Sequence, residues 1–155
     1  GLVTGQIIGR WGNFFNCEAF GGYTDSFLAM RIKRSIVSES MISQELIDHL
    51  IIENGIEYIQ VHPTFLYESL WNLGVLLFML WYRKRKRFDG EMIAVYFAGY
   101  GLGRAWIEGL RTDSLMIPGT GLAVSQVLSI IMVVVSVSIL LFPRKKKSVE
   151  REGIE

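Results

Sequence analysis

The sequence predicts a mainly α-helical, polytopic membrane protein: three transmembrane helices, a truncated N-terminal helix and a small extracytoplasmic α/β cap. Three observations predict it. Of 155 residues, 50% are hydrophobic and 12% aromatic, with a mean hydropathy of +0.33, a balance that departs from ordinary soluble domains. Two stretches nearly free of charge, 65–82 and 121–142, approach or exceed the ~20 residues that cross a bilayer. The formal charge is only +1, yet the cations are clumped at 83–87 and 144–147, each directly after an apolar stretch, as on the cytoplasmic flanks of membrane helices. That placement also argues against a nucleic-acid partner, since the basic runs are helix flanks and not patches on a soluble surface.

Taken in order, the first segment, 1–20, opens with apolar Leu2–Ile8, too short to span and read as the last turns of a truncated helix or a re-entrant segment. Gly9-Arg10-Trp11-Gly12-Asn13-Phe14-Phe15-Asn16-Cys17-Glu18 then sets a cation, two amides and a carboxylate among glycines and aromatics. Arg10 at a membrane boundary has two readings, an interfacial loop whose side chain snorkels or a cation turned to a cavity or anionic group. Hydropathy falls across 21–62, the extramembrane cap. Within it Met41–Ile52 has helical spacing at Ile42, Leu46 and Leu50, Asn54-Gly55 reads as the helix stop, and Ile56–Val61 alternates as a strand.

Pro63 breaks that strand and opens the first span, 63–82, with Tyr67 and Trp71 near one interface and Trp81-Tyr82 at the other. Phe88-Asp89-Gly90 turns the chain into the second span, 91–108, whose Gly99, Gly101 and Gly103 permit close approach of a neighbouring helix or lipid. Pro118-Gly119 turns the next loop, and the third span, 121–142, ends at Pro143 and the second basic run. The tail, 143–155, reads as a cytoplasmic end. The basic runs place 83–89 and 144–155 inside, so the regions around Arg10 and Arg104 meet on the outer side. The chain begins at glycine without a signal-peptide pattern and is expected to continue a longer protein. The single cysteine forms no internal disulfide, and no zinc pattern accompanies it.

Tyr100, Arg104, Glu108 and Arg111, spaced by four, four and three residues, share a stripe roughly 80° wide if the helix runs through them. Two arginines to one carboxylate would leave positive potential for an anionic headgroup; the plainer reading is a structural ion-pair triad. Arginine's planar fork suits Arg10 and Arg104 to a phosphate better than lysine would.

The pattern of Gly9, Arg10, Gly12, Asn13, Phe14, Asn16 and Glu18 resembles the signature of the prolipoprotein diacylglyceryl transferase family, as do His62-Pro63-Thr64-Phe65-Leu66-Tyr67-Glu68 and Gly99-Tyr100-Gly101-Leu102-Gly103-Arg104 through Glu108 and Arg111, in the same order. Val61 stands where an arginine is familiar in that family, and Thr64-Phe65 where a serine-glutamine pair is. The resemblance implies the C-terminal portion of an enzyme of the bacterial cytoplasmic membrane, active toward its outer face. There the diacylglyceryl group of phosphatidylglycerol passes to the lipobox cysteine thiol of a prolipoprotein signal peptide, releasing glycerol phosphate and leaving a thioether.

It further implies that Arg10 and Arg104 bind the phosphate and stabilise charge on the leaving group, with no metal or nucleotide required. Asn13 and Glu18 would orient the headgroup and Arg10, with Asn16 a weaker candidate. Tyr100 would donate to the lipid, and Glu108 and Arg111 would set the field around Arg104. For Asn13, Asn16 and Glu18 turn and cap hydrogen bonding is the competing reading. A thiol with a reference pKa of about 8.5 needs a base or a strong positive field. His62 is the one motif histidine, though a helix-entry role is the simpler reading, and the family's favoured histidine belongs to an upstream motif. His49 reads as a surface residue and Cys17 as non-catalytic. The rival is a non-catalytic membrane protein that binds or transports an anionic lipid through the same cations.

Overall fold

The structure, a computed structural model, describes residues 1–111, 114–117 and 119–142. Pro118, Pro143, the Arg144–Lys147 run and the expected cytoplasmic tail lie outside the described residues.

Helix α1 spans Leu2–Phe15, so the polar segment around Arg10 is helical and not an interfacial loop. The apolar run and the motif form one helix, which ends where Asn16 and Cys17 donate backbone N–H groups to Gly12 and Phe14 carbonyls at 2.9 and 3.2 Å. Cys17 and Ala19 then take positive φ of 52° and 54°, turning the chain out of the helix as an αL residue does.

The cap is a three-stranded antiparallel sheet, β1 (Met30–Lys33), β2 (Ile51–Glu53) and β3 (Ile56–Val61), in the order β1-β3-β2. Ile32 lies opposite Ile59 and Ile51 opposite Tyr58. The expected helix over 41–52 is only α2, Gln44–Asp48, because Ile51-Ile52 are β-branched and pair with β3. Asn54-Gly55 is not a helix stop: with φ of 53° and 77° it is the two-residue turn of a hairpin, where both central positions require positive φ. Beneath the sheet Phe20, Ile32, Val37, Leu46, Ile59 and Val61 form one buried cluster.

Three longer helices follow: α3 (Thr64–Tyr82), α4 (Glu91–Ile107) and α5 (Val124–Leu141). Helix α3 packs between α1 and α4, and α4 packs on α5. The segment 64–85 and α5, with mean hydropathies of 1.2 and 2.5, are long and apolar enough to cross a membrane. Helix α4, with 17 residues, falls short by that criterion. The protein is therefore mostly helical with a small sheet and two candidate spans.

The α4 glycines are contact points, as expected. A Cβ at Gly99 would meet Val75 of α3 at 2.9 Å, one at Gly101 would meet the Ser129 carbonyl of α5 at 3.0 Å, and Gly103 lies against the Trp71 ring. Helix α5 starts three residues later than its apolar run, after Gly119 and Gly121 take positive φ of 81° and 67°. There Gln126 folds back to accept the Ala123 N–H at 3.0 Å, a side-chain cap on an otherwise unsatisfied donor.

Candidate active site

The chemistry-bearing side chains converge from three helices. Arg10 comes from the second half of α1, Glu68 from the second turn of α3, and Arg104 from the last turn of α4. Arg10 Nη2 lies 2.7 Å from Glu68 Oε2, and Arg104 Nη1 donates to the same oxygen at 3.5 Å. Arg104 Nη2 lies 2.9 Å from Glu108 Oε2, a charge contact in which no N–H is aimed well at the oxygen. Ser114 Oγ donates toward Glu108 Oε1 at 3.0 Å.

The cluster is layered by exposure. The side chains of Arg10 and Arg104 are 20% and 21% exposed, those of Glu68 and Glu108 6% and 5%. The carboxylates lie behind and the guanidinium groups face the opening. Burying charges of one sign would be prohibitive, whereas two cations and two anions in contact lower one another's desolvation cost. Each fork holds five donors, more than these contacts engage, which suits it to an incoming phosphate.

Glu68 is the residue to which the sequence reading gave no role. The signal available was a lone carboxylate in an almost uncharged span, where an ionisable group normally pairs or serves function. Glu68 adds a carboxylate to the expected balance: Arg10 and Arg104 share it, and Arg104 also meets Glu108.

The expected stripe on one helix face is broken. Helix α4 ends at Ile107, Glu108–Leu110 form a tighter 3₁₀ turn, and Arg111 is extended with φ −82° and ψ 141°. The Arg111 backbone bridges to Gly21 of the cap, so it does not extend the Arg104 face. Tyr100 remains on that face, lining a narrow crevice with Glu68, Asn72 and Arg104, and its ring stacks on Tyr96 at 5.8 Å.

Arg10 takes its carboxylate from Glu68 and not from Glu18. Glu18 is exposed and accepts from Asn16 Nδ2 at 3.1 Å, while the Asn13 carbonyl accepts the Glu18 N–H at 3.0 Å. Asn13, Asn16 and Glu18 thus close the end of α1, with Asn13 half-buried one turn beyond Arg10. His62 sits at the entry to α3: its carbonyl accepts from Gly21 and Thr64 at 3.0 and 2.9 Å, and its Nδ1 is 3.3 Å from the Tyr67 hydroxyl. Burial lowers its pKa, favouring the neutral ring. Cys17 packs against the cap core, and His49 stacks on Tyr23 with ring centres 4.0 Å apart. No group of three metal-ligating side chains occurs among the described residues.

Fold and site together define a mostly helical protein with two candidate membrane-spanning segments and a partly buried arginine–carboxylate cluster suited to an anionic ligand. The sequence model of the family described as prolipoprotein diacylglyceryl transferase matches residues 1–142, and the chain belongs to that family. It is 39% identical over 145 residues to the phosphatidylglycerol–prolipoprotein diacylglyceryl transferase of Geobacillus kaustophilus, covering 94% of this chain and 49% of the relative. It is 46% identical over 134 residues to the enzyme of that name from Thermosynechococcus vestitus, covering 85% and 44%. The Bacillus cereus enzyme is 38% identical over 154 residues, covering 99% and 52%. The chain spans about half the length of the curated relatives it matches. No solved structure matches it.

Proposed function

We propose that this chain carries the phosphate-binding part of an enzyme that transfers the diacylglyceryl group of phosphatidylglycerol to the lipobox cysteine of prolipoproteins. The observation that carries the reading is the pair of guanidinium groups held side by side on one buried carboxylate, Glu68, in a chain of this family. The thiol sulfur attacks the glycerol carbon bearing the phosphoester oxygen. The S–C bond forms as the C–O bond breaks, the electron pair leaves with glycerol phosphate, and the thiol proton passes to a base. Negative charge grows on the departing phosphate, so cations fixed in advance stabilise the transition state more than the substrate. Tyr100 and Asn13 flank the two arginines as further headgroup partners, and Glu108 holds Arg104 from behind.

Helix α4 is the second of three spans in this reading, paired to α3 and α5 on both sides, and shorter than a free-standing span because its ends rest on the cap and the basic turn. The basic run after α3 faces the cytoplasm of a bacterial inner membrane, and the arginine cluster, at the opposite end of α3, faces outward.

The test incubates the full-length membrane protein with phosphatidylglycerol and a lipobox peptide and reads the peptide mass. A diacylglyceryl gain on cysteine, abolished by Arg10→Ala and by Arg104→Ala, is the expected result. Lipid-loaded, folded protein that binds phosphatidylglycerol and yields no thioether would leave an anionic-lipid binder or transporter instead.

A further inference from the structure

Helices α3 and α4 are tied near both ends, and Val75 of α3 also packs on Gly99 of α4. Near the arginine end, Trp71 Nε1 donates to the Gly99 carbonyl at 2.8 Å and the indole lies flush on Gly103. At the other end, the Tyr82 hydroxyl donates to Glu91 Oε1 at 2.6 Å, and the Arg87 backbone N–H donates to the other oxygen. Along this helix pair lies a cavity of about 600 Å³ walled by Leu70, Gly74, Phe78, Val95, Ala98 and Leu102, with Tyr82, Arg87 and Glu91 at its polar end. From Trp71 to Tyr82 the helix rises roughly 16 Å at ~1.5 Å per residue.

The slot is apolar and lies along candidate membrane-spanning helix α3, and Trp71 stands between it and the crevice at Glu68 and Arg104, lining both. At its open, polar end stands the run Arg83–Arg87. There Lys86 pairs with Asp89 at 3.1 Å and Arg85 lies over Trp81 at 4.1 Å, while Arg83, Lys84 and Arg87 have no acidic partner within ion-pair distance among the described residues. An apolar slot that ends at unpaired cations complements one kind of molecule at membrane depth, an anionic amphiphile.

We infer that the slot between α3 and α4 holds one acyl chain of an anionic phospholipid whose headgroup rests on Arg83, Lys84 and Arg87, at a site separate from the Arg10–Arg104 cluster. It is a second lipid site at the opposite end of α3. The cluster binds the lipid that reacts; this slot holds one that does not, because Trp71 separates it from the reacting atoms. The inference stands on the cavity and the cations and is independent of the transferase reading.

The full-length protein, reconstituted in phosphatidylcholine vesicles containing phosphatidylglycerol with a mid-chain diazirine, is photolysed, digested and mapped by mass spectrometry. Adducts are expected on the peptides around Gly74–Phe78 and Val95–Ala98. Gly74→Phe fills the slot from a position where an added Cβ meets nothing within 4 Å, and should cut those adducts at least tenfold. Gly74→Ala, which adds one methyl, should keep them within about threefold and so reports on folding. A double Arg83→Gln, Arg87→Gln variant should bring the yield down to that of a diazirine phosphatidylcholine. Adducts mapping elsewhere, adducts indifferent to Gly74→Phe, or equal yields from the two probes with the wild type would each overturn the inference. Because the readout is the adduct and not thioether formation, an inactive preparation still decides it.

Discussion

Replacing Glu68 by glutamine keeps the shape of the side chain and removes the charge that two arginines share. Arg10 Nη2 and Arg104 Nη1 lie 2.7 and 3.5 Å from the same oxygen, so these nitrogens are at most about 6 Å apart. Two unit charges at that distance repel by about 3 kcal/mol at an effective dielectric near 20. With Glu68 neutral, that repulsion is unscreened from behind and the guanidinium groups swing toward solvent, which their one-fifth exposure permits. A displacement of about 1 Å in groups that position a reacting phosphate costs on the order of 10²-fold. The expected outcome is therefore a drop of about 10²-fold in kcat/KM for diacylglyceryl transfer to a lipobox peptide, carried mainly by kcat because the arginines act on developing charge. Glu68→Asp, which keeps the charge but shortens the reach, should fall between. If Glu68→Gln stays within about threefold of wild type while Arg10→Ala is inactive, the shared carboxylate does not position the arginines and the reasoning fails.

Three further outcomes follow from the same geometry. Arg10→Lys and Arg104→Lys, which keep charge and lose the planar fork, should each lower kcat/KM at least tenfold in that assay; activity near wild type would show that charge alone suffices. Gly21→Ala should destabilise the protein by about 1–3 kcal/mol, read as a fall in thermal midpoint, because a Cβ there would sit 2.7 Å from both His62 Cβ and the Leu110 carbonyl; an unchanged midpoint would mean that the junction yields freely. His62 is lowered by burial, so the unfolded chain binds its proton more tightly. Its contribution is present above the ordinary histidine value of about 6.5 and lost as pH falls below it toward the lowered folded value. His62→Gln should flatten the loss of thermal stability as pH falls below about 6.5, and an unchanged slope would assign that loss to other groups.

The spans were legible because a bilayer imposes length and apolarity on a continuous run: Thr64–Tyr82 and Val124–Leu141 begin and end close to where hydropathy, proline and the basic runs place them. The strand Ile56–Val61 was legible from its alternation. The cap helix was not, because Ile42, Leu46 and Leu50 satisfy a helical period while Ile51-Ile52 answer to a partner strand, and pairing is not written in local spacing. Asn54-Gly55 carries the same two letters as a helix stop and as a hairpin turn; only the strands on either side decide. Arg10, Arg104 and Glu108 were readable as charges beside apolar stretches. The partner of Arg10 was not, since Glu68 reaches it across helices far apart in sequence. The stripe through Arg111 failed for a local reason, the tightening of the last turn at Glu108–Leu110, which ends the 3.6-residue period before Arg111 is reached.

The cap and the arginine cluster are one mechanical unit. Gly21 and Gly22 exchange backbone hydrogen bonds with His62 at 3.0 Å each way, and Gly22 also donates to the Leu110 carbonyl at 3.0 Å. The Thr64 hydroxyl donates to the Ala19 carbonyl. The strand end before α3, the turn after α4 and the exit of α1 therefore meet on one short stretch of backbone. Those three helices carry Glu68, Arg104 and Arg10. Helices in a bilayer slide and tilt at modest cost when nothing joins their ends, and a slide of one residue would move a guanidinium about 1.5 Å, enough to break the shared contact on Glu68. The close backbone approach at Gly21, which excludes even a methyl group, fixes the heights of all three helices against one another. The junction thus bears on the arginine–carboxylate cluster without contributing a side chain to it, by holding in register the helices that do.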